Sequence, residues 1–511
     1  MMPHTTDATT PPAPSPARLP LEGMHPLFVR SAGILLHPTS LPGPHGVGAL
    51  GAHARAFVDW LARAGVTLWQ VLPLVPPGAG HSPYSSGSAF AGNPWMIDLD
   101  GLVEAGLLAP HEVSGGPEAS DRVDWAAMTA FKGPRLALAA GRVPSAELTA
   151  FRSRSPWVED AALFFALRQR FDGAPYWEWP AALRRRDPKA LAAARAELAS
   201  AVDRETALQL LFERQWNALR AYAAARGVRF VGDMPIYVDA DSADVWAAQS
   251  MFELDPDGRR LDVSGVPPDA FSETGQLWGN PLYRWDRMAE TDYAWWVSRV
   301  RRIMEQTDLV RIDHFRAFSA YWAVPAGAPD ARMGKWRPGP GRALFDALRG
   351  ALGTLPILAE DLGIIDDAVR HLLRDAGLPG MKVLQFAFGE KPENHYLPHN
   401  HTPASVVYTG THDNETTAGY WQGTGDHVRD HVRRYFGVSG HDIVWDLIRA
   451  ALASVSVFAI VPFQDLLALG NEARMNVPSV ATGNWGWRMR PEMLREDVAA
   501  RLAGLVSLYG R

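Results

Sequence analysis

Eight short apolar or β-branched runs recur along the chain: GILLH (33–37), LWQVLPL (68–74), RFVGDMPIYV (229–238), LVRIDHF (309–315), PILAEDL (356–362), MKVLQFAF (381–388), SVVYTGTHD (405–413) and VSVFAIVPF (455–463). Each is apolar for four to six residues and is separated from the next by stretches of helical spacing, the pattern of parallel strands buried on both faces. Eight such strands alternating with helices predict an α/β fold, a (β/α)8 TIM barrel with helical and loop insertions between strands. The spacing is uneven, so the insertions can be placed. Residues of about 95–228 form one, largely helical, with DAALFFALRQRF and ALQLLFERQWNALRAYAAARG as its clearest helices and a glycine closing the latter. Residues of about 239–308 form the second, and within it GVPPDAFSETGQLWGNP (265–281) is too rich in Gly, Pro and turn formers for a regular element, which predicts a functional loop. The barrel occupies 23–511 as a single unit, after a disordered tail over 1–22.

Composition narrows the function classes. With 47% hydrophobic and 21% charged residues and a net charge of −6, the 511-residue chain is an ordinary globular protein without the basic excess of a nucleic-acid binder. No nucleic acid and no membrane are expected as partners: no run of about 18 apolar residues occurs, and the N-terminal stretch lacks the apolar centre of a signal peptide. The absence of cysteine excludes disulfides, a thiol nucleophile and cysteine-ligated metals, and suits a reducing cytoplasm. Nineteen tryptophans are an excess. Core packing accounts for most of them, and platforms for a ligand with apolar faces and polar edges are the alternative use.

Four of the apolar runs end in acids: Asp233, Asp313, Glu360–Asp361 and Asp413. Strand ends of this kind carry the active site in a barrel. Arg311 and Asp313 are two apart and project to one side of a strand, so the guanidinium favours the ionised carboxylate and keeps Asp313 able to act as a nucleophile. Glu360, at the end of PILAE, is desolvated and near other acids, which favours the protonated form and suits a general acid. Asp413, after His412, is a third carboxylate able to stabilise positive charge in a transition state. The implied chemistry is glycosyl transfer or hydrolysis with retention, for which the two principal carboxyls lie roughly 5–5.5 Å apart. Taken singly, each acid is equally a helix cap or an arginine partner. Metal binding is a weaker alternative, because Arg311 competes with a cation beside Asp313 and His412 has no spaced histidine partner.

LVRIDHFRAF, ILAEDLG and YTGTHDNET resemble the shared regions of the α-amylase clan. The surrounding words GILLHPTSLPGPHGVGALG, HSPYSSGSAFAGNPWMIDL, GDMPIYV, GVPPDAFSETGQLWGNPLY, KWRPGPG and GNWGWR resemble its 4-α-glucanotransferase family, glycoside hydrolase family 77, the amylomaltases or disproportionating enzymes, from about residue 33 to 488. The resemblance implies that Asp313 is the nucleophile, Glu360 the acid/base and Asp413 the transition-state stabiliser. Arg311 and His412 would contact the donor sugar, with Tyr84 and Ser82 nearby. On the 265–281 lid, Asp269, Gln276 and Trp278 are placed to contact sugar, and Asn484 is a further substrate-binding candidate. The resemblance implies maltodextrins and amylose as substrates, glucose as an acceptor, and neither metal nor cofactor. One departure from the family pattern is Ser479 in NVPSVATGN, where a glycine is expected after the proline; it bears on the backbone near Asn484.

Transfer rather than hydrolysis requires that the acceptor outcompete water for the glycosyl-enzyme, and the lid is the device expected to exclude water. An α-glucan hydrolase with a wetter site and an idle glucan-binding barrel are the rival readings. Other motifs are set aside. Gly46, Gly48 and Gly51 match a dinucleotide fingerprint, but a Pro-containing loop separates them from their strand. DPDG (255–258) lacks the later ligands of a calcium loop. His395, His399 and His401 read as a polar loop, and RALFDALRGAL as a core-packing helix.

Overall fold

The computed structural model describes residues 20–117, 120–268, 272–389 and 391–511. All but the last three residues of the expected 1–22 tail, and Asp269 of the lid, lie outside the described residues. The strands, in chain order, are β1 (Ser31–Leu35), β2 (Leu68–Gln70), β3 (Arg229–Met234), β4 (Asp262–Val266), β5 (Gln276–Pro281), β6 (Leu309–Ile312), β7 (Ala320–Pro325), β8 (Lys335–Pro338), β9 (Ile357–Ala359), β10 (Gly380–Val383), β11 (Ser405–Tyr408) and β12 (Phe458–Pro462). Eight of them close a parallel barrel in the order β1-β12-β11-β10-β9-β6-β3-β2, with the seam paired from Ser31 against Phe458 to Leu35 against Pro462. This is the (β/α)8 barrel the apolar runs predict, and its strands are buried along almost their whole length.

Seven of the eight barrel strands are shorter than the runs that announced them, and at β6 and β11 the chain leaves the ladder close to where the polar residues begin. The 309–315 run ends as a strand at Ile312, after which His314 takes a left-handed φ of 49° and residues Phe315–Phe318 form a 3-10 turn. The 405–413 run ends at Tyr408. Strand geometry suits the apolar part; the polar remainder folds over the barrel mouth.

The first insertion contains helices Trp125–Gly141, Ser145–Arg154, Trp157–Arg170 and Pro188–Glu197. The 26-residue helix Ala199–Ala224 then returns the chain to the barrel: Trp216 packs on Phe230 of β3 at 4.7 Å, and the Tyr222 hydroxyl donates to Asp59 on the helix after β1. The segment 265–281, expected as an irregular loop, is in large part a hairpin, since β5 pairs antiparallel with β4. Gly275 and Gly279, at φ of 68° and 81°, supply the turn and the bulge that let so glycine-rich a stretch remain a strand. The hairpin is completed by β7 and β8 into a four-stranded sheet, β5-β4-β7-β8, so half of that sheet comes from residues beyond 308.

Candidate active site

Arg311, on β6, points into the barrel and is 3% exposed. Burial of a guanidinium demands partners, and it has two carboxylates: Nη1 lies 2.7 and 2.8 Å from the two oxygens of Asp233 on β3, and Nη2 lies 2.8 Å from Asp313 Oδ1. The arginine is thereby locked in one rotamer, and it fixes Asp313 at the start of the loop after β6. Asp233, noted in the sequence only as a strand-end acid, is the anchor of this arrangement. Its second partner is the Tyr84 hydroxyl, which donates to Oδ2 at 2.6 Å.

Glu360 follows β9 directly. Its backbone continues the ladder, its N–H donating to Ile312 and its carbonyl accepting from Phe315. Its side-chain oxygens are held separately, Oε2 by the His314 N–H at 2.6 Å and Oε1 by the Leu362 N–H at 2.7 Å. Burial first, and then the charge of Asp313, push its pKa up to about 8, against the opposing pull of Arg311 and of these two N–H donors. The left-handed turn at His314 is what aims the N–H at the glutamate. At neutral pH Glu360 is therefore the protonated member of the pair.

Asp413 sits beyond β11 and is the most open of the three acids, its side chain 44% exposed against 27% for Asp313. Asn476 donates to its Oδ1 at 2.6 Å, His412 Nε2 lies 3.3 Å from Oδ2, and Arg474 donates to its carbonyl oxygen at 2.6 Å. Asn476 and Arg474 went unrecognised in the sequence, although Asn476 opens the NVPSVATGN motif already singled out. Tyr84 ties this corner to the first: its ring stacks on His412 at 5.1 Å and 15°, and Trp485 lies tilted against both. Burial raises the Tyr84 hydroxyl well above its ordinary range, with Asp233, Asp313 and Asp413 adding to the effect, so it stays a donor.

The remaining sequence candidates divide. Ser82 Oγ accepts from the Tyr84 N–H and shapes the loop that presents the tyrosine. Trp278, on β5, meets His314 edge-on at 4.7 Å, and its indole N–H donates to Gln276 Oε1 at 3.1 Å, which puts the rim of the hairpin over the residues after Asp313. Asn484 turns its amide to its own loop, accepting from Val477 N–H and donating to the Val480 carbonyl. The loop it closes contains Ser479 at a φ of 66°, a conformation that favours the glycine expected there. The motifs set aside remain structural: Asp255 accepts from Asp257 and Arg259 in a turn, and His399 and His401 bond to Tyr435 and to the Tyr396 carbonyl.

Comparison with known proteins bears directly on this constellation. Residues 36–494 match the family model described as 4-alpha-glucanotransferase. The chain is 48% identical over 499 residues to the 4-alpha-glucanotransferase of Thermus thermophilus, covering 94% of this chain and 99% of that one. It is 46% identical over 495 residues to the chloroplastic/amyloplastic 4-alpha-glucanotransferase of Arabidopsis thaliana, covering 94% and 86%. Among solved structures, an amylomaltase from Streptococcus agalactiae in complex with acarbose superposes with a TM-score of 0.92 at 38% identity, over 94% of this chain and 99% of that one.

Proposed function

The chain belongs to the 4-alpha-glucanotransferase family, and from that premise we propose that it performs disproportionation of α-1,4-glucans by a double displacement on Asp313, with Glu360 as acid/base and Asp413 as the stabiliser of the transition state. It is an enzyme that transfers a segment of an α-1,4-glucan to another glucan or to glucose. The observation that carries the mechanistic reading is the opposite setting of two neighbouring carboxyls: one paired with a buried guanidinium, the other desolvated and pushed up to about 8.

In the first step Asp313 attacks the anomeric carbon. Arg311 holds Oδ1, which leaves Oδ2 to face the sugar. The proton of Glu360 passes to the departing 4-oxygen, so the bond breaks without an alkoxide forming. Loss of that proton makes Glu360 the base for the second step, in which it takes the proton of the acceptor 4-hydroxyl as that oxygen displaces Asp313 with retention. Asp413, 44% exposed and oriented by Asn476, supplies negative charge as the ring carbon becomes cationic. His412 and Tyr84 line the donor side, and Trp278 and Gln276 on the hairpin favour an acceptor sugar over water. Maltodextrins and amylose are the donors on this reading, with glucose among the acceptors and no metal or cofactor in any step. Among the described residues no helix is long and apolar enough to cross a membrane, and a cytoplasmic location accords with the cysteine-free sequence.

The test is incubation of the purified protein with maltotriose, without added metal, followed by chromatography of products against time. Glucose with a ladder of longer maltodextrins, lost in Asp313→Ala, is the expected result. Glucose and maltose with nothing longer would show a hydrolase and remove the role given to the hairpin.

A further inference from the structure

Seventeen of the nineteen tryptophans are buried or half-buried. The two that are exposed, Trp278 at 37% and Trp336 at 40%, lie on the same small sheet, on β5 and β8. Trp278 meets the residues after Asp313 and has a place in the site already described. Trp336 has none.

The sheet register shows that Trp336 is not an unfinished piece of core. It stands opposite Trp322 on β7, which stands opposite Gly265 on β4, so these residues share one face. Trp322 on that face is covered: its indole N–H donates to the Ala331 carbonyl at 2.8 Å, and Gly334 lies so close that a Cβ there would come within 2.1 Å of the ring. Trp336 only meets the edge of Trp322, at 5.2 Å and 69°, and keeps a broad surface in water.

What supports the exposed indole is Arg316, whose guanidinium sits 3.9 Å from the ring centroid. Arg316 is itself buried and pinned, with Nη1 donating to the Ile364 carbonyl and Nη2 lying 3.3 Å from Asp366. Ile364 and Asp366 belong to the loop that leaves Glu360. The 3-10 turn after Asp313 is therefore flanked by one exposed tryptophan at His314, whose N–H holds Glu360, and by a second at Arg316, which grips the loop beyond Glu360. A rigid aromatic plate with one side braced by a cation and much of its surface free matches the apolar face of a pyranose ring, whose hydroxyls stay in water at the rim.

We propose that Trp336 is a sugar platform for an outer unit of an α-1,4-glucan, and that it makes the enzyme prefer long chains. Arg316 is its positioning residue. The inference rests on the reading of glucan transfer at Asp313 and adds a determinant of chain length to it.

The experiment compares wild type, Trp336→Ala and Trp336→Phe in kcat/KM for maltotriose and for maltoheptaose, with circular dichroism, thermal melting and sedimentation velocity on each. In Trp336→Ala the preference for maltoheptaose over maltotriose falls about tenfold through KM, and Trp336→Phe recovers most of it. An unchanged preference, or an equal loss on both substrates with a lowered melting point, overturns the proposal. A change of oligomeric state with unchanged preference also overturns it, and assigns the face to contact between copies. If the wild-type protein makes no ladder from maltotriose, the transfer reading fails instead. Maltoheptaose binding by calorimetry then decides Trp336 alone: weaker binding to Trp336→Ala supports the platform, and equal binding removes it.

Discussion

At the scale of single residues, the site is a problem in charge placement. Arg311 carries one positive charge between two acids in a volume that water barely reaches, so removing one partner changes the other. In Asp233→Asn the guanidinium loses its bidentate partner and its full charge falls on Asp313, stabilising the carboxylate and weakening it as a nucleophile. The expected outcome is a drop in kcat of roughly a hundredfold and a loss of about 3 kcal/mol in unfolding free energy, read from maltotriose disproportionation and from denaturant titration. An Asp233→Asn enzyme with wild-type kcat would show that Arg311 needs only Asp313. Glu360 makes a prediction in pH. The glycosylation step needs its proton, and the group titrates at about 8, so the rate holds through neutrality and declines as pH rises past about 8. A pH–rate profile with its alkaline decline near that of an ordinary carboxylate would mean that neither burial nor Asp313 acts on Glu360 as the geometry implies. In Glu360→Gln the alkaline decline disappears along with most of the activity, because the amide has no proton to give.

At the scale of elements, what the sequence made legible was the buried part of each strand. Runs such as VVY of β11 and FAIVP of β12 are apolar on both faces because the barrel buries both. The acids after them were legible for the complementary reason, as polar residues placed where an apolar run stops. Legibility fails where function depends on distant partners. Asn476 reaches Asp413 only because β12 lies beside β11, and Asp233 meets Arg311 only because β3 lies beside β6. No local pattern encodes either pairing. The 265–281 hairpin was misread because its glycines, read as breakers, instead serve the turn and bulge of paired strands. The loop after Asn476 was legible to the single residue: Ser479 occupies a left-handed position with a side chain that disfavours it. Ser479→Gly is expected to raise stability by up to about 1 kcal/mol, measured by denaturant unfolding. Because the same loop presents Asn476 to Asp413, KM is expected to change by no more than about twofold if the loop keeps its shape. A destabilised Ser479→Gly would mean that the serine hydroxyl holds the loop.

At the scale of the whole molecule, the barrel is closed by its first and last strands, so its integrity rests on contacts between segments remote in sequence, β1 and β12. The N-terminal ends of those strands lie at the end of the barrel opposite the carboxylates, and there the backbone has a polar excess: the carbonyls of Ser31, Leu452, Ser454 and Ser456 converge. Arg511, 2% exposed, answers it with a single guanidinium, whose nitrogens donate to Leu452 at 2.6 Å and to Ser31, Ser454 and Ser456 at 3.0 Å. Arg30 reinforces it by donating to Ser454 at 2.7 Å and to Leu452 at 3.0 Å. A planar five-donor group is the side chain that can serve several carbonyls at once, and lysine, with three donors on a point charge, is a poor replacement. Arg511→Ala leaves buried acceptors short of donors at the barrel seam and is expected to cost about 3 kcal/mol or more. Arg511→Lys is expected to recover less than half of that. Because the strands are held in register by many other hydrogen bonds, the carboxylate end keeps its geometry while the protein is folded. Transfer from maltotriose, assayed well below the melting transition, should therefore proceed at the wild-type rate in both variants. Loss of transfer in a folded Arg511→Ala protein would show that strain at the seam travels the length of the barrel to the Arg311 pair, and that closure and catalysis are one mechanical unit.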